Sequence, residues 1–348
     1  MKNNTTKISI TPASIIIFFS FILLLIFIYQ IRDVLLLLFA SFVIASALFP
    51  IVDWLSKKVP RGIVVLFVYL VGLLVMLTLL IPFITVIVQQ TEEFMEKFPG
   101  YWDQITRALS EFEIFAQSQG FIPDYSQMFS NMSDIGQDIV SKSIGFTINL
   151  FAGIAGAFTL AVIVLFLLLD KESLAQDSLK LFPPKYREQV KHIIGIISRR
   201  VGGYVRGQII LMIAVGVLTA IGLKIVGMEF ALLLGITAGL LEIIPIVGPI
   251  IAAVPAIIIA LAHDPLLALW VFIVYMIVQR LENHILTPMI LGTFLEMHPL
   301  IIIIAILIAA STLGVFGVIL SPALAASIYI LFQELYLKKI NPESEELL

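Results

Sequence analysis

The chain has 348 residues, of which 60% are hydrophobic and only 13% are charged. A soluble domain of this size needs many more polar residues on its surface, so the composition predicts a polytopic membrane protein. The formal net charge of -3 gives no indication of a nucleic-acid partner, which would require clustered Lys and Arg.

The sequence lacks the usual motifs of enzymes and ATP-driven pumps. It has no cysteine, its four histidines show no zinc spacing, and it contains no GxxxxGK[ST] nucleotide-binding pattern. An intramembrane enzyme is disfavoured because neither a serine–histidine pair nor a metal motif is present. We therefore expect no cofactor, no metal and no catalytic residue, with any coupling coming from H⁺ or Na⁺.

Long apolar stretches predict an all-α fold with about six full membrane spans, at 10–31, 34–54, 63–88, 144–169, 208–225 and 265–278. Two further stretches, 230–262 and 300–336, are too long for one crossing of a core of roughly 30 Å, and each contains Gly and Pro near its middle. We predict that each forms a broken, re-entrant helical hairpin, giving about eight membrane-embedded segments. A span plus a hairpin, repeated upside down, is the inverted-repeat plan of many secondary transporters.

The charge distribution predicts the orientation and the domain organisation. Lys and Arg flank the first, second and last segments on one face, which places both termini in the cytoplasm. The loop 89–143 has nine acidic and three basic residues and is predicted to be extracellular and helical. The expected units are scaffold helices at 1–88, the extracellular loop at 89–143, a membrane helix at 144–169, a cytoplasmic amphipathic linker at 170–207, a transport unit at 208–337 and a cytoplasmic tail at 338–348.

The segment 230–262 contains the strongest functional signal. Glu242 is its lone carboxylate and lies about one turn before Pro245, with Gly248 and Pro249 following. Proline leaves a carbonyl unpaired and glycine lets a solute approach closely. Because burying a carboxylate in a membrane is costly, we predict that these four residues line a substrate or ion pathway. The alternative is that Glu242 only caps the broken helix.

A second polar cluster ends the span at 265–278. Gln279 and Asn283 are four residues apart, share a helix face and are predicted to face the first hairpin as pathway residues. Arg280, Glu282 and Pro288 are secondary candidates, and a solvated helix end is the favoured explanation for the charged ones.

A third cluster lies at 199–208. Gly203 and Gly207 form a GxxxG face that permits close helix contact. Arg206 is a further secondary candidate for the pathway, although lipid headgroup anchoring is its favoured role.

The chain resembles the autoinducer-2 exporter family of bacterial permeases. In the last 150 residues the resemblance rests on motifs, and in the first 170 it rests on hydropathy alone. The residues that match the family pattern are Gly203, Tyr204, Gly207, Gln208, Glu242, Ile244, Pro245, Gly248, Pro249, Pro255, Gln279, Glu282, Asn283, Pro288 and Gly292. It implies a secondary exporter of a small hydrophilic solute, such as the quorum signal autoinducer-2, in the bacterial cytoplasmic (inner) membrane. It also implies a homo-oligomer such as a pentamer, in which a mobile part slides against a scaffold.

Three functions remain open from the sequence. We expect a secondary transporter whose partners are the solute and the lipid bilayer. The alternative within transport is a sodium/proton antiporter, which some members of the family are assigned to be; against it stands the single intramembrane carboxylate identified, Glu242. A passive scaffold would predict that Glu242→Gln changes stability and nothing else.

Overall fold

The computed structural model describes residues 12–74, 156–292 and 297–337, together with a few isolated positions (89, 93, 96, 97, 100, 107 and 294). This part of the chain is built from helices and contains no strand, so the all-α prediction is confirmed there. The expected loop at 89–143 and the tail at 338–348 fall almost entirely outside the described residues.

The first part of the chain contributes helices α1 (Pro12–Gln30), α2 (Arg32–Leu55) and α3, described over Arg61–Leu74. Along α1 the described side chains are mostly apolar and mostly exposed, as is typical of a lipid-facing helix. By contrast, α2 buries mostly small side chains, including Ser41, Ala45, Ser46 and Ala47. Small residues let neighbouring helices approach closely, so α2 is suited to packing inside the protein.

The next helices are α4 (Gly156–Leu169) and the short polar α5 (Lys171–Lys180). Val164 and Leu168 of α4 form a buried cluster with Val52 of α2 and the first turns of α3. Arg61 of α3 binds Asp53 at 2.8 Å and also donates to the Leu168 carbonyl, so one guanidinium joins all three helices.

Helix α6 (Arg187–Ile225) is the centre of the structure, because it packs against α2, α5 and three of the helices that follow it in the chain. Its 39 residues extend about 58 Å at 1.5 Å per residue. The expected boundary between a linker ending at 207 and a transport unit starting at 208 lies inside this helix and matches no break. The cationic stretch 199–206 resembles the end of an interfacial helix, but Gly202, Gly203 and Gly207 pack against neighbouring elements and the helix continues.

The predicted break in the segment 230–262 is present. Helix α7 (Ala231–Leu241) ends before Glu242, and α8 (Val247–His263) begins after Ile246. Both are shorter than the roughly 20 residues that cross a bilayer, and they pack against each other. Gly216 of α6 meets Gly235 and Gly239 of α7, where the absence of side chains brings the two helices together.

The remaining described helices are one long helix and a pair of helices separated by a break. Helix α9 runs over Pro265–Leu281 and continues through a π-helical turn at Glu282–Leu286 to Leu291, well beyond the predicted end at 278. Helices α10 (Pro299–Thr312) and α11 (Gly314–Phe332) pack against each other and are separated at Leu313, next to Gly314 with its φ of 65°. The expected interruption of 300–336 is therefore observed.

The helix lengths agree with a multi-pass membrane protein. Among the described residues, four helices are long and apolar enough to span a bilayer: Arg32–Leu55, Pro184–Ile225, Pro265–Leu291 and Gly314–Tyr336. Six more apolar helices are shorter than a typical span, including both helices at the first break and the helix before the second break. The predicted count of six spans plus two re-entrant hairpins, and the cytoplasmic location of both termini, stay predictions.

Two glycines of α6 offer a matched test of the packing. A Cβ at Gly202 would collide with the backbone carbonyl of Ser46 on α2, whereas a Cβ at Gly195 would have no atom within 4 Å. We expect Gly202→Ala to destabilise the protein by about 1–3 kcal/mol. Gly195→Ala should be neutral or stabilising by up to about 1 kcal/mol, because alanine favours the helix. Thermal unfolding of both variants in detergent measures the difference, and equal melting temperatures would contradict the α2–α6 contact.

Cysteine labelling tests whether α7 and α8 enter and leave the membrane on one side. The native chain has no cysteine, so single substitutions can be labelled in whole cells with an impermeant maleimide. We expect a cysteine at His263 to react from outside, while a control cysteine at Lys58 reacts only after the cells are opened. Labelling of His263→Cys from the cytoplasm alone would mean that the segment crosses completely.

Candidate functional site

The chain turns sharply between α7 and α8. Ile246 has φ 71° and ψ -50°, and the Val247 amide donates to the Pro245 carbonyl at 2.8 Å, which closes a γ-turn. This conformation is strained for a β-branched residue and costs about 1–3 kcal/mol. A Cβ at Gly248 would collide with the Leu241 carbonyl, so the close return of the chain requires glycine there.

The break is held by a hydrogen bond from α6. The side-chain amide of Gln208 donates to the backbone carbonyl of Glu242 at 2.6 Å, and these residues are only 6% and 2% exposed. Carbonyl groups at the end of a helix have no partner within the helix. Gln208 therefore pairs a buried backbone group that the end of α7 leaves free.

A second carboxyl group meets the first at this point. Glu282, where the π-helical turn of α9 begins, is 7% exposed, and its carboxyl group lies within hydrogen-bonding reach of that of Glu242. Gln279 orients it, because the Gln279 amide donates to Glu282 Oε2 at 2.7 Å. Tyr204, one turn before Gln208 on α6, is 4% exposed and lies near Glu242. The four side chains and Gln208 form what we call the carboxyl-pair site.

The carboxyl pair is buried without compensating charge. Among the described residues, neither Glu242 nor Glu282 forms an ion pair, and Glu242 Oε2 accepts no hydrogen bond. The described residues contain no cluster of three or more His, Asp or Glu that could hold a metal ion. Two neighbouring carboxylates repel each other strongly in a medium of low dielectric constant, so the pair favours a bound proton or cation.

The structure brings together some of the predicted pathway residues and separates others. Glu242, Pro245, Gly248 and Pro249 form the break, and Gln279 reaches the carboxyl pair through Glu282. Asn283 is exposed. Its predicted alignment with Gln279 assumes α-helical spacing, but the π-helical turn that begins at Glu282 changes the register of the helix.

The secondary candidates have varied environments. Glu282 is the buried partner of Glu242 rather than part of a solvated helix end, whereas Arg280 and Pro288 are exposed. The Arg206 guanidinium donates to the Ala47 carbonyl of α2 at 2.9 Å, in the turn that Pro50 disrupts. Arg206 thus joins α6 to the backbone of α2 and does not take part in the carboxyl pair.

Gln208 and Tyr204 entered the sequence analysis only through the family resemblance, although a pattern in α6 marks them. The buried residues Val201, Tyr204, Gln208, Leu211 and Val215 recur every three or four positions. This spacing defines the inner face of a helix, so a polar residue on it must find a partner inside the protein.

Comparison with known proteins agrees with this architecture. The family model of the AI-2E family transporter matches residues 18–337, nearly the whole chain. The chain belongs to the AI-2E transporter family. It is therefore a membrane transporter, and its apolar helices are those of a multi-pass protein.

Similar proteins support the assignment. The chain is 32% identical over 302 residues to "Putative transport protein YueF" of Bacillus subtilis, covering 82% of this chain and 80% of the relative. It is 27% identical over 299 residues to "Putative transport protein YrrI" of the same organism, covering 85% of each. It is 25% identical over 318 residues to "Putative transport protein YhhT" of Escherichia coli, covering 88% of this chain and 86% of that protein. These names describe transport rather than catalysis.

The Gln208 hydrogen bond can be tested by an apolar replacement of similar size. Gln208→Met leaves the buried carbonyl of Glu242 unpaired, which we expect to lower the free energy of unfolding by about 1–3 kcal/mol. Gln189→Met, in the first turn of the same helix, is the control and should change stability by less than about 0.5 kcal/mol. Chemical denaturation in detergent gives both values. Equal stability of the two variants would show that Gln208 does not hold the break.

Proposed function

We propose that this protein is a proton-coupled secondary transporter of a small hydrophilic solute, and that the Glu242–Glu282 pair binds the coupling proton. The observation that carries the proposal is the pair itself: two buried carboxyl groups at a broken helix, without a neutralising cation among the described residues. Buried ionisable residues in membrane segments mark ion and substrate pathways.

The chemistry of the pair suits coupling. With one proton between the carboxyl groups, the site has a single negative charge and an internal hydrogen bond. Loss of that proton would leave two charges in a poorly solvated site, which is stable only when water or a cation reaches it. Proton release is thereby linked to an opened site, and this linkage is what a coupled transporter needs.

The proposed solute is small, polar and rich in hydroxyl groups, such as autoinducer-2. Two observations support this class: the AI-2E name of the family, and a set of hydrogen-bonding groups beside the break, namely the Tyr204 hydroxyl, the side-chain amides of Gln208 and Gln279 and the two carboxyl groups. In this proposal the protein works as an exporter and homo-oligomer in the bacterial inner membrane.

Sodium/proton exchange is the second candidate, and one observation favours it. The sequence offered a single intramembrane carboxylate, but the structure places Glu282 beside Glu242. Carboxylate and amide oxygens are the hard ligands that alkali and alkaline-earth cations accept. In this alternative, Na⁺ and H⁺ would compete for the pair and no organic solute would be carried.

Transport assays in proteoliposomes separate these functions. We expect a pH gradient to drive autoinducer-2 flux through the wild type, with little effect of Na⁺. Glu242→Gln and Glu282→Gln keep the side-chain shape but remove the titration, so flux should fall at least about tenfold or lose its pH dependence. Glu188→Gln, at an exposed position in the first turn of α6, is the control and should behave as the wild type.

The outcomes decide between the candidates. Flux of Na⁺ against H⁺ without flux of the organic solute would favour the antiporter. Normal, pH-dependent flux in folded Glu242→Gln and Glu282→Gln would show that the pair only closes the broken helix, and the proton-coupling proposal would fail.

A further inference from the structure

A cavity separate from the carboxyl pair lies between α2, α5 and the first half of α6. Its volume is about 630 Å³, within the range of roughly 300–1,000 Å³ that is typical of ligand sites. No residue of the carboxyl-pair site lines it. The cavity therefore needs an explanation other than the proposed transport chemistry.

The walls of the cavity are apolar. Phe42, Phe49 and Pro50 line the α2 side, and Leu174 and Leu179 line the α5 side. An apolar concave wall of this kind offers contact area to a hydrocarbon chain. Contact with this apolar wall would not stabilise a small hydrated anion.

The rim of the cavity is cationic along one face of α6. Lys191, Gly195 and Arg199 follow one another at intervals of four residues and all line the cavity, which places the two charges about 12 Å apart along the helix. Both cations are exposed, and neither forms an ion pair with another described residue. They are thus available to a ligand.

The other charged residues of the cavity already have partners. Asp53 is bound by Arg61 at 2.8 Å and by Lys171 at 2.5 Å, so its negative charge is compensated. Arg206 donates to the Ala47 carbonyl. The unpaired charge of the lining is therefore positive and concentrated at Lys191 and Arg199.

We propose that this cavity binds an anionic membrane phospholipid. In this proposal the lipid phosphate contacts Lys191 and Arg199. The part of its acyl chains nearest the headgroup lies along Phe42, Phe49 and Leu174. Basic pockets between the helices of membrane proteins recognise phospholipid headgroups in this way. A free phosphate ion would contact only the two cations, and an uncharged lipid would contact only the apolar walls. An anionic lipid is the ligand that matches both the cationic rim and the apolar walls.

The position in the fold agrees with such a ligand. The cavity lies where α2 ends, where the polar α5 runs and where α6 changes from its charged first half to its apolar second half. A change from charged to apolar side chains along one helix marks the level of the lipid headgroups.

Binding can be measured on the purified, delipidated full-length protein by titration with phosphatidylglycerol in detergent, using thermal shift and native mass spectrometry. Phosphatidylcholine with the same acyl chains and inorganic phosphate are the two comparison ligands. We expect phosphatidylglycerol to raise the melting temperature and to remain bound in the gas phase. Inorganic phosphate at the same concentration should do neither.

Two variants remove the two halves of the site separately. Lys191→Gln combined with Arg199→Gln should weaken phosphatidylglycerol binding about tenfold or more, because each cation near an anionic lipid contributes to attraction. Gly195→Leu fills the cavity from a position with no atom within 4 Å of a Cβ, so it should block the lipid without harming the fold. Lys180→Gln combined with Lys185→Gln removes the same charge outside the cavity and should bind as the wild type does.

Several results would overturn the proposal. Equal binding of phosphatidylcholine and phosphatidylglycerol would show that the cations play no part. Equal stabilisation by inorganic phosphate would identify a simple anion site instead of a lipid site. Wild-type affinity for phosphatidylglycerol in both folded cavity variants would place the lipid elsewhere on the protein. Melting temperatures measured without added lipid confirm that the variants are folded.

Discussion

A backbone carbonyl that loses its helical partner inside an apolar protein must be paired by another group, because no water is at hand. Gln208 meets this requirement at the end of α7, and two further side chains donate to backbone carbonyls of neighbouring helices. Gln208 pairs with the Glu242 carbonyl at the break, Arg206 with the Ala47 carbonyl near Pro50, and Tyr275 with the Ala252 carbonyl near Pro255. Each of these contacts joins one helix to the distorted part of another. The arrangement of α2, α6, α8 and α9 therefore depends on the same interaction, used three times.

The carboxyl-pair site is a consequence of this arrangement. Once α6 supplies Gln208 to the end of α7, the side chain of Glu242 is enclosed and turned towards α9. Glu282 lies one α-helical turn after the buried Val278, on the inner face of α9, and the π-helical turn begins at this residue. Two carboxyl groups that are forty residues apart in sequence are thereby placed in one buried pocket. In the proposed function, their mutual repulsion makes the site sensitive to protons and cations.

The sequence predicted the helical breaks well and the partners of Glu242 poorly. Gly, Pro and an isolated carboxylate are local signals, so the interruption at 242–246 could be located from the chain alone. The pairing with Glu282 depends on how distant helices pack, which the local sequence pattern does not show, and the pattern instead aligned Gln279 with Asn283. The role of Arg206 was hidden because a cation near a predicted membrane surface looks the same whether it meets a headgroup or a carbonyl. Membrane topology follows from the bilayer as well as from the fold, and it stays a prediction.

The uninterrupted course of α6 limits how this protein can change shape. The helix touches α2 through Gly202 and Arg206, and it touches the break and α7 through Gln208 and Gly216. A continuous α-helix does not stretch, so α2 and α7 cannot separate along it while both sets of contacts survive. Any large displacement must release one set, and α6 then travels with the side that keeps its contacts. The stronger of the two attachments decides which helices move and which stay still.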